Sequence, residues 1–450
     1  MRVLVIGGNA AGMTAASRAK RVDPSLDVRV LEASPRIAYS VCGVPYFLSG
    51  LVRELSELVL FTPESLMNER GIEARVECRA VELAAMQRKV TVEDARSGTR
   101  ETLGYDKVLI ATGYRPITPD VEGAHLKGVF TASRLGDGEA IMSWLSSRQA
   151  RRVVLVGGGY VGLEIADAMV ARGLSVTLLD SAPQIFSALD ADMAKLVEDE
   201  LSRHGVSVMT NRRVERITSN RSGEVEAVEL AAGSLRIPTD LVFVDVGVVP
   251  SVELASTAGV DIGASGGIVV NDRLETNLPG VYAAGNCAET HHLVTEGPAL
   301  VPLGTVAAKQ GRVAGENLAG VRSRFLGAVG TSIVKVFDVV AARTGLSSVE
   351  AARAGFSVVE SRIEGKSRAH YFGGAPATVK VLADRDSGRL LGAQIVGSAE
   401  AAASIDVAAT ALTARMTVRE AAQLDLVYAP PAGALWNPLL VAMNTLMRKD

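Results

Sequence analysis

Cysteine is scarce in this chain: three residues in 450, at positions 42, 78 and 287. Three thiols this far apart exclude a disulfide framework and fit a reducing cytosol. Aromatic residues make up only 4% of the chain, so an aromatic beside a motif carries extra weight. Neither sign of charge dominates, with 47 basic against 50 acidic side chains and a net charge of −3. That balance argues against a general nucleic-acid or polyanion binder. No apolar run approaches the roughly 18 residues that span a bilayer. The chain opens directly into Val3-Leu4-Val5-Ile6, with no signal peptide before it. The expectation is a soluble cytoplasmic protein with neither a membrane nor a nucleic acid as partner. What is abundant is hydrophobic residue, 48% of the chain, enough for the cores of about three domains at roughly 100–200 residues each.

The sequence echoes itself. Val3-Leu4-Val5-Ile6-Gly7-Gly8 returns as Val153-Val154-Leu155-Val156-Gly157-Gly158. Each copy is a β-branched run that breaks at glycine and enters a small-residue helix, expected over 13–20 and 163–172. Each helix is followed by an apolar strand ending in an acid, Glu32 in the first copy and Asp180 in the second. These are two βαβ units, expected to form parallel sheets with right-handed crossovers. Between them, Lys107-Val108-Leu109-Ile110 ends at Ala111-Thr112-Gly113, and Pro116 and Pro119 mark a crossing into a second domain. A strand over 241–246, ending at Gly247 and Pro250, marks the return. Val281-Tyr282-Ala283-Ala284 supplies one further strand before Gly285. From about residue 325 the pattern becomes α+β, with strands at 333–337, 378–382 and 390–396 and a small-residue helix at 399–414. Cys78 falls in a strand expected over 74–81 and reads as filler.

The glycines carry the chemistry. Gly157-Gly158-Gly159-Tyr160-Val161-Gly162 fits G-x-G-x-x-G between a strand and a helix, and Asp180 lies 18 residues beyond Gly162. The first glycine permits the tight turn, the second lets a pyrophosphate approach the backbone, and the third lets helix and strand pack closely. The helix start offers free N–H groups and positive dipole to the phosphates. Asp180 would accept hydrogen bonds from an adenosine ribose. No arginine follows within 181–187, which favours NADH over NADPH. The first turn, Gly7-Gly8-Asn9-Ala10-Ala11-Gly12, departs from the pattern at Asn9, but Glu32 lies 20 residues past Gly12 and restores the signal. Two such turns imply two dinucleotides, FAD held as a prosthetic group and NAD(P)H as reductant. Cys42 follows Glu32 by ten residues in Tyr39-Ser40-Val41-Cys42-Gly43-Val44-Pro45-Tyr46. With no second cysteine nearby, it must cycle through a mixed disulfide, a persulfide or a sulfenic acid. Its position between a loop and a helix is expected to lower its pKa through the helix dipole.

With these residues in place, the whole chain resembles the pyridine nucleotide-disulfide oxidoreductases. Within them it is similar to the single-cysteine branch of coenzyme A disulfide reductases, NADH oxidases and NADH peroxidases. The resemblance includes Ala111-Thr112-Gly113, and Thr276-Asn277-Leu278-Pro279-Gly280-Val281-Tyr282-Ala283-Ala284-Gly285, which resembles a second FAD motif. It also includes Lys335-Val336-Phe337-Asp338 and Leu424-Asp425-Leu426-Val427-Tyr428-Ala429-Pro430-Pro431. It implies an α/β fold: two nested Rossmann-like dinucleotide-binding domains plus a C-terminal α+β dimerisation domain. The implied division is 1–115 and 250–324 for FAD, 116–249 for NAD(H), and 325–450 for the interface. Cys42-Gly43-Val44-Pro45-Tyr46 resembles the coenzyme A disulfide reductase motif. The oxidases and peroxidases usually lack that Pro-Tyr and tend to carry a histidine in the first glycine turn, where this chain has Asn9-Ala10-Ala11. Asn286 stands where the second FAD motif normally has aspartate; its amide can still hydrogen-bond a ribityl hydroxyl, and FAD is expected to be held less tightly. Trp436 stands where some relatives place a lysine near the ligand, which weakens the case for coenzyme A.

The same resemblance assigns further residues. Gly7, Gly8, Ala11, Gly12, Glu32, Thr112, Gly113, Gly285 and Asn286 would hold FAD. Gly157, Gly159, Tyr160, Gly162, Glu164 and Asp180 would hold the nicotinamide dinucleotide, with Tyr160 gating its pocket and Glu164 near the flavin. Arg18, Arg21, Arg70 and Lys309 would contact the phosphates of a coenzyme A substrate or lie close to them. Tyr371 and Tyr428 would cross a homodimer interface to reach Cys42 of the partner subunit, where a phenol could donate to a leaving thiolate. Packing and solvated helix faces explain several of these equally well. Cys287 could pair with Cys42 but reads better as unpaired. His291 and His292 are adjacent, do not share a face, and imply no metal. The function expected is reduction of coenzyme A disulfide or a related disulfide or persulfide. Two alternatives stay open: an NADH oxidase or peroxidase using Cys42 sulfenic acid, and a flavoprotein that binds partners according to its redox state.

Overall fold

Residues 1–231 and 235–448 are described by the structure, a computed structural model. The first apolar run forms the centre of a five-stranded parallel sheet in the order Val281–Ala283, Lys107–Ile110, Arg2–Ile6, Asp27–Leu31, Glu73–Arg75. Val3, Leu4 and Val5 are fully buried, which is why this strand reads as an unbroken apolar run: a parallel strand is covered on both faces. The second run centres an equivalent parallel sheet, Ser207–Met209, Ser175–Leu179, Arg152–Val156, Leu241–Val244, Val129–Phe130. Val5 stands opposite Val30 and Leu109, and Leu155 opposite Leu178 and Phe243, so the two sheets repeat each other in register. The chain leaves the first sheet after Ile110 and re-enters it at Val281. Its outgoing and returning segments pair with each other, Tyr114–Pro116 antiparallel to Val248–Pro250.

Four helices matter below: α1 (Ala10–Val22), α2 (Val44–Ser49), α3 (Tyr160–Ala171) and α4 (Gly304–Leu318). Glycines of α4 let it cross close against the alanines of α1. A side chain at Gly311 would lie 2.3 Å from the Ala11 carbonyl, and one at Gly315 would lie 2.4 Å from that of Ala15. Residues 332–397 contribute a five-stranded antiparallel sheet, Ser332–Val336, Val339–Gly345, Leu390–Gly397, Pro376–Asp384, Val358–Lys366. Among the described residues no helix is long and apolar enough to cross a membrane.

Two local expectations fail. The strand expected over 74–81 is two strands, Glu73–Arg75 at the edge of the parallel sheet and Cys78–Ala84 paired antiparallel with Lys89–Asp94. Glu77, at φ 53°, turns the chain between them; nothing in the local pattern marks that single left-handed residue. The helix expected over 399–414 is likewise two, Ala399–Ala402 and Ile405–Thr413. Ala403 and Ser404 form the turn between them, and Ile405, Ala408 and Leu412 of the second enter the core beneath the antiparallel sheet. Alanine propensity is blind to that break, because packing decides it.

Candidate active site

The two glycine turns are built alike. Gly7 and Gly157 each donate 2.8 Å to the last carbonyl of the neighbouring strand, Leu31 and Leu179. Both adopt left-handed conformations, φ 110° and 103°. A side chain there would meet the Ala111 carbonyl at 2.1 Å and the Asp245 carbonyl at 2.0 Å, so only glycine fits. At Gly12 and Gly162 an added Cβ would fall 1.9 and 2.3 Å from the carbonyls of Gly7 and Gly157, which draws each helix against its turn. The acids at the strand ends fold back onto the turns. Glu32 Oε2 accepts from Gly8 N at 2.8 Å, and Asp180 Oδ2 from Gly158 N at 2.9 Å. The departure at Asn9 has a simple reason. Its backbone is extended, φ −117° and ψ −153°, a conformation open to any residue.

Both turns face one open cleft of about 1550 Å³, which their residues line together with Cys42, Thr112, Gly113, Tyr160, Glu164, Gly285 and Asn286. A cleft for one drug-sized ligand is about 300–1,000 Å³, so this one has room for more. The residues of its first half fit FAD. Asn286 Oδ1 is buried without a hydrogen-bond partner, an acceptor waiting for a donor such as a ribityl hydroxyl. Gly285, at φ 85°, would clash with Ala11 Cβ at 2.7 Å if it carried a side chain, and its N–H donates to Gln310 Oε1 at 2.7 Å. Thr112 Oγ1 donates to Ser251 O at 2.6 Å, tying the outgoing crossing to the returning one.

Cys42 occupies a short 3₁₀ turn, Val41–Gly43, leading into α2. Each following residue has a reason. A side chain at Gly43 would meet Leu58 at 2.2 Å, Val44 is fully buried, and Pro45 occupies the first turn of α2, where no amide is missed. Tyr46 then turns outward and hydrogen-bonds Glu164 on α3. Cys42 is exposed in the cleft, whereas Cys78 and Cys287 are buried; all three are free thiols. Cys287 Sγ donates to the carbonyls of Ala284 and Ile110, at 3.5 and 3.6 Å.

The expected lowering of the Cys42 pKa does not occur. Although the residue is open to the cleft, the cleft walls strip water from its sulfur, and that desolvation pushes the thiol up; the Glu164 carboxylate pushes it further, against a smaller opposing effect of its own backbone amide. Gly43, not Cys42, caps α2, which is only six residues long, so the dipole is weak where the sulfur stands. Glu164 is itself pushed up to about 7, first by burial, with Asp245 and Asp167 adding to the shift and Tyr46 opposing it.

The other expected residues fall elsewhere. Tyr160 closes the start of α3 with an edge-on contact to Phe186 at 4.8 Å between ring centres and a hydrogen bond to Ser332. Arg18, Arg21, Arg70 and Lys309 do not line the cleft. Arg18 pairs with Glu316 on α4 at 2.8 Å, Arg70 donates to Ser17 on α1 at 2.6 Å, and Arg21 and Lys309 are exposed. Tyr371 and Tyr428 meet in a second, shallow pocket with Trp436. Glu200, His204 and Asp338 stand within metal-ligand spacing outside the cleft, but Glu200 already accepts from Arg203 and from the Asp338 amide.

Three cleft residues escaped the sequence reading. Arg212 and Arg213 line the cleft near Asp180, and Arg212 N donates to Asp180 O at 2.9 Å. They come from the loop after Ser207–Met209, so a search just past Asp180 could not find them, and they counter the argument for NADH alone. Asp245 directly follows the strand Leu241–Val244, and its Oδ2 accepts from Gly162 N at 2.8 Å. The internal repeat was the signal available for Asp245, which stands where the first copy has Ala111.

A family model described as pyridine nucleotide-disulphide oxidoreductase matches residues 1–311, and the dimerisation domain of that family matches residues 331–437. The NAD(P)H coenzyme A polysulfide/persulfide reductase of Pyrococcus horikoshii is 37% identical over 449 residues, covering 99% of this chain and 98% of the relative. The NADH oxidase of Methanocaldococcus jannaschii is 34% identical over 451 residues, covering 100% and 99%. A solved NAD-dependent persulfide reductase from A. fulgidus superposes with a TM-score of 0.96 at 38% identity, over 100% of this chain and 83% of that one.

Proposed function

From a chain that belongs to the pyridine nucleotide-disulphide oxidoreductase family, we infer an FAD- and NAD(P)H-dependent reductase of low-molecular-weight disulfides or persulfides, coenzyme A disulfide or persulfide foremost, working through Cys42. The observation that carries this reading is the single exposed thiol in a cleft flanked by two dinucleotide turns, with the other two thiols buried. The names of the Pyrococcus horikoshii and A. fulgidus relatives support the substrate class.

FAD held by the first glycine turn with Glu32, Thr112, Gly285 and Asn286 would supply the two-electron redox chemistry that the side chains lack, between NAD(P)H and the sulfur of Cys42. The Cys42 thiolate attacks one sulfur of the substrate; a mixed disulfide forms and the first thiolate leaves. Two electrons then return Cys42 to the thiolate and release the second thiol. Glu164, pushed up to about 7 beside Cys42 and hydrogen-bonded to Tyr46, can hold or give a proton near neutrality.

The division into 1–115 and 250–324 for FAD, 116–249 for NAD(H) and 325–450 for the interface is part of the same proposal, supported by the interrupted first sheet. So is a homodimer in which Tyr371 and Tyr428 of the partner subunit complete the site. Tyr371 is 65% exposed, Tyr428 48% and Trp436 66%, a cluster of large rings that needs cover. Arg18, Arg21, Arg70 and Lys309 are proposed as the basic surface for substrate phosphates. Three unpaired thiols support a cytoplasmic setting.

The test is NAD(P)H consumption with coenzyme A disulfide, persulfide, oxygen and peroxide in turn, on wild type and Cys42→Ser. Disulfide or persulfide turnover lost by at least about 10³-fold in Cys42→Ser is expected. Full turnover without the thiol would overturn the reading. Turnover with oxygen alone would favour the oxidase chemistry named for the Methanocaldococcus jannaschii relative.

A further inference from the structure

The two dinucleotide turns differ at one position that their shared architecture singles out. Ala111 N donates to Ile6 O and Asp245 N to Val156 O, both at 2.8 Å, so Ala111 and Asp245 are equivalent residues of the repeat. Ala111 presents a methyl group to the first turn. Asp245 presents a carboxylate, and its Oδ2 accepts from Gly162 N at 2.8 Å and also bonds the Val161 amide. A side chain at Gly159 would lie 3.0 Å from that oxygen, whereas Asn9, at the matching position beside Ala111, carries one. The amides at the start of α3 are the donors a pyrophosphate needs. Two more carboxylates face the same turn, Asp180 from the neighbouring strand and Glu164 from α3.

We propose that Asp245 sets the affinity for the nicotinamide dinucleotide: its carboxylate competes with the pyrophosphate for the N–H groups of α3, so this dinucleotide exchanges while the one on the first turn stays bound. The proposal rests on the reading of the second turn as the NAD(P)H site. A charge of the same sign as the ligand, already seated on the anion-binding amides, must be displaced or endured each time the dinucleotide binds. Glu32 and Asp180 hold equivalent places on the two turns, but with alanine in place of Asp245 the first half sets no carboxylate on the amides at the start of α1, as a prosthetic site requires.

The experiment is equilibrium binding of NAD⁺ and of ADP-ribose to the oxidised holoenzyme, comparing wild type with Asp245→Asn, which removes the charge at constant shape, and Asp245→Ala, which copies the first half. Both ligands should bind about tenfold more tightly to each variant, a change worth ~1.4 kcal/mol, with flavin content per chain unchanged. Should Asp245→Ala fold poorly, Asp245→Asn alone decides. Unchanged or weaker binding to Asp245→Asn overturns the proposal. So does a gain for NAD⁺ without one for ADP-ribose, because the pyrophosphate is common to both. No disulfide is present in this measurement, so its outcome is independent of the role assigned to Cys42.

Discussion

Below neutrality the Glu164 carboxyl, pushed up to about 7 mainly by burial, keeps its proton and leaves the Cys42 thiolate opposed chiefly by desolvation of its sulfur within the cleft. As the pH rises through 7 the carboxylate forms, and a like charge now stands beside the thiolate, which pushes the thiol further up. Glu164→Gln keeps the shape and the contact with Tyr46 but removes the charge. In that variant the pH midpoint for alkylation of Cys42 by iodoacetamide should move to lower pH than in wild type. An unmoved midpoint would mean that Cys42 does not feel Glu164. Little of this was legible in the sequence, because Cys42 and Glu164 are joined only by the packing of α2 against α3. Tyr46 was visible there as part of a motif, but its hydrogen-bond partner was not.

The strand–turn–helix units are where local sequence and tertiary demand agree most closely. Gly12 must lack a side chain because α1 begins against the Gly7 carbonyl, 1.9 Å from where a Cβ would stand. Gly12→Ala should therefore push α1 off the sheet, at a cost of about 1–3 kcal/mol. Flavin absorbance per chain should fall with the melting temperature; full flavin content with unchanged stability would refute this. Asn9, by contrast, breaks the glycine pattern without breaking the turn, because its φ is negative. The glycine signature records separate needs at separate positions, and only some of them require glycine. The same local logic misread the stretch around Cys78, where Glu77 alone decides that one run becomes two strands.

At the scale of the whole molecule, Cys42 and Tyr428 line different cavities of one chain. If the site is completed across a dimer, subunit mixing reports it. Tyr428→Phe should lower disulfide turnover about 10²-fold or more through loss of a proton donor. Cys42→Ser and Tyr428→Phe, each impaired alone, should then complement when their subunits exchange. Half the dimers would be hybrid, each with one intact site, giving about a quarter of wild-type activity. Hybrids that gain nothing would place both residues in a single subunit's site, or Tyr428 outside it altogether.

By itself the sequence determined the two βαβ units, their turns, the acids Glu32 and Asp180, and the isolation of Cys42. Each of these is written in neighbouring residues, where strand pattern, glycine geometry and spacing act over one or two elements. Tertiary structure alone decided what surrounds the thiol and the second turn. Glu164 beside Cys42, Arg212 and Arg213 near Asp180, and Asp245 on the amides of α3 join positions tens or hundreds of residues apart. The balance of charge at those points depends on burial and approach, and a linear chain specifies those only once it has folded.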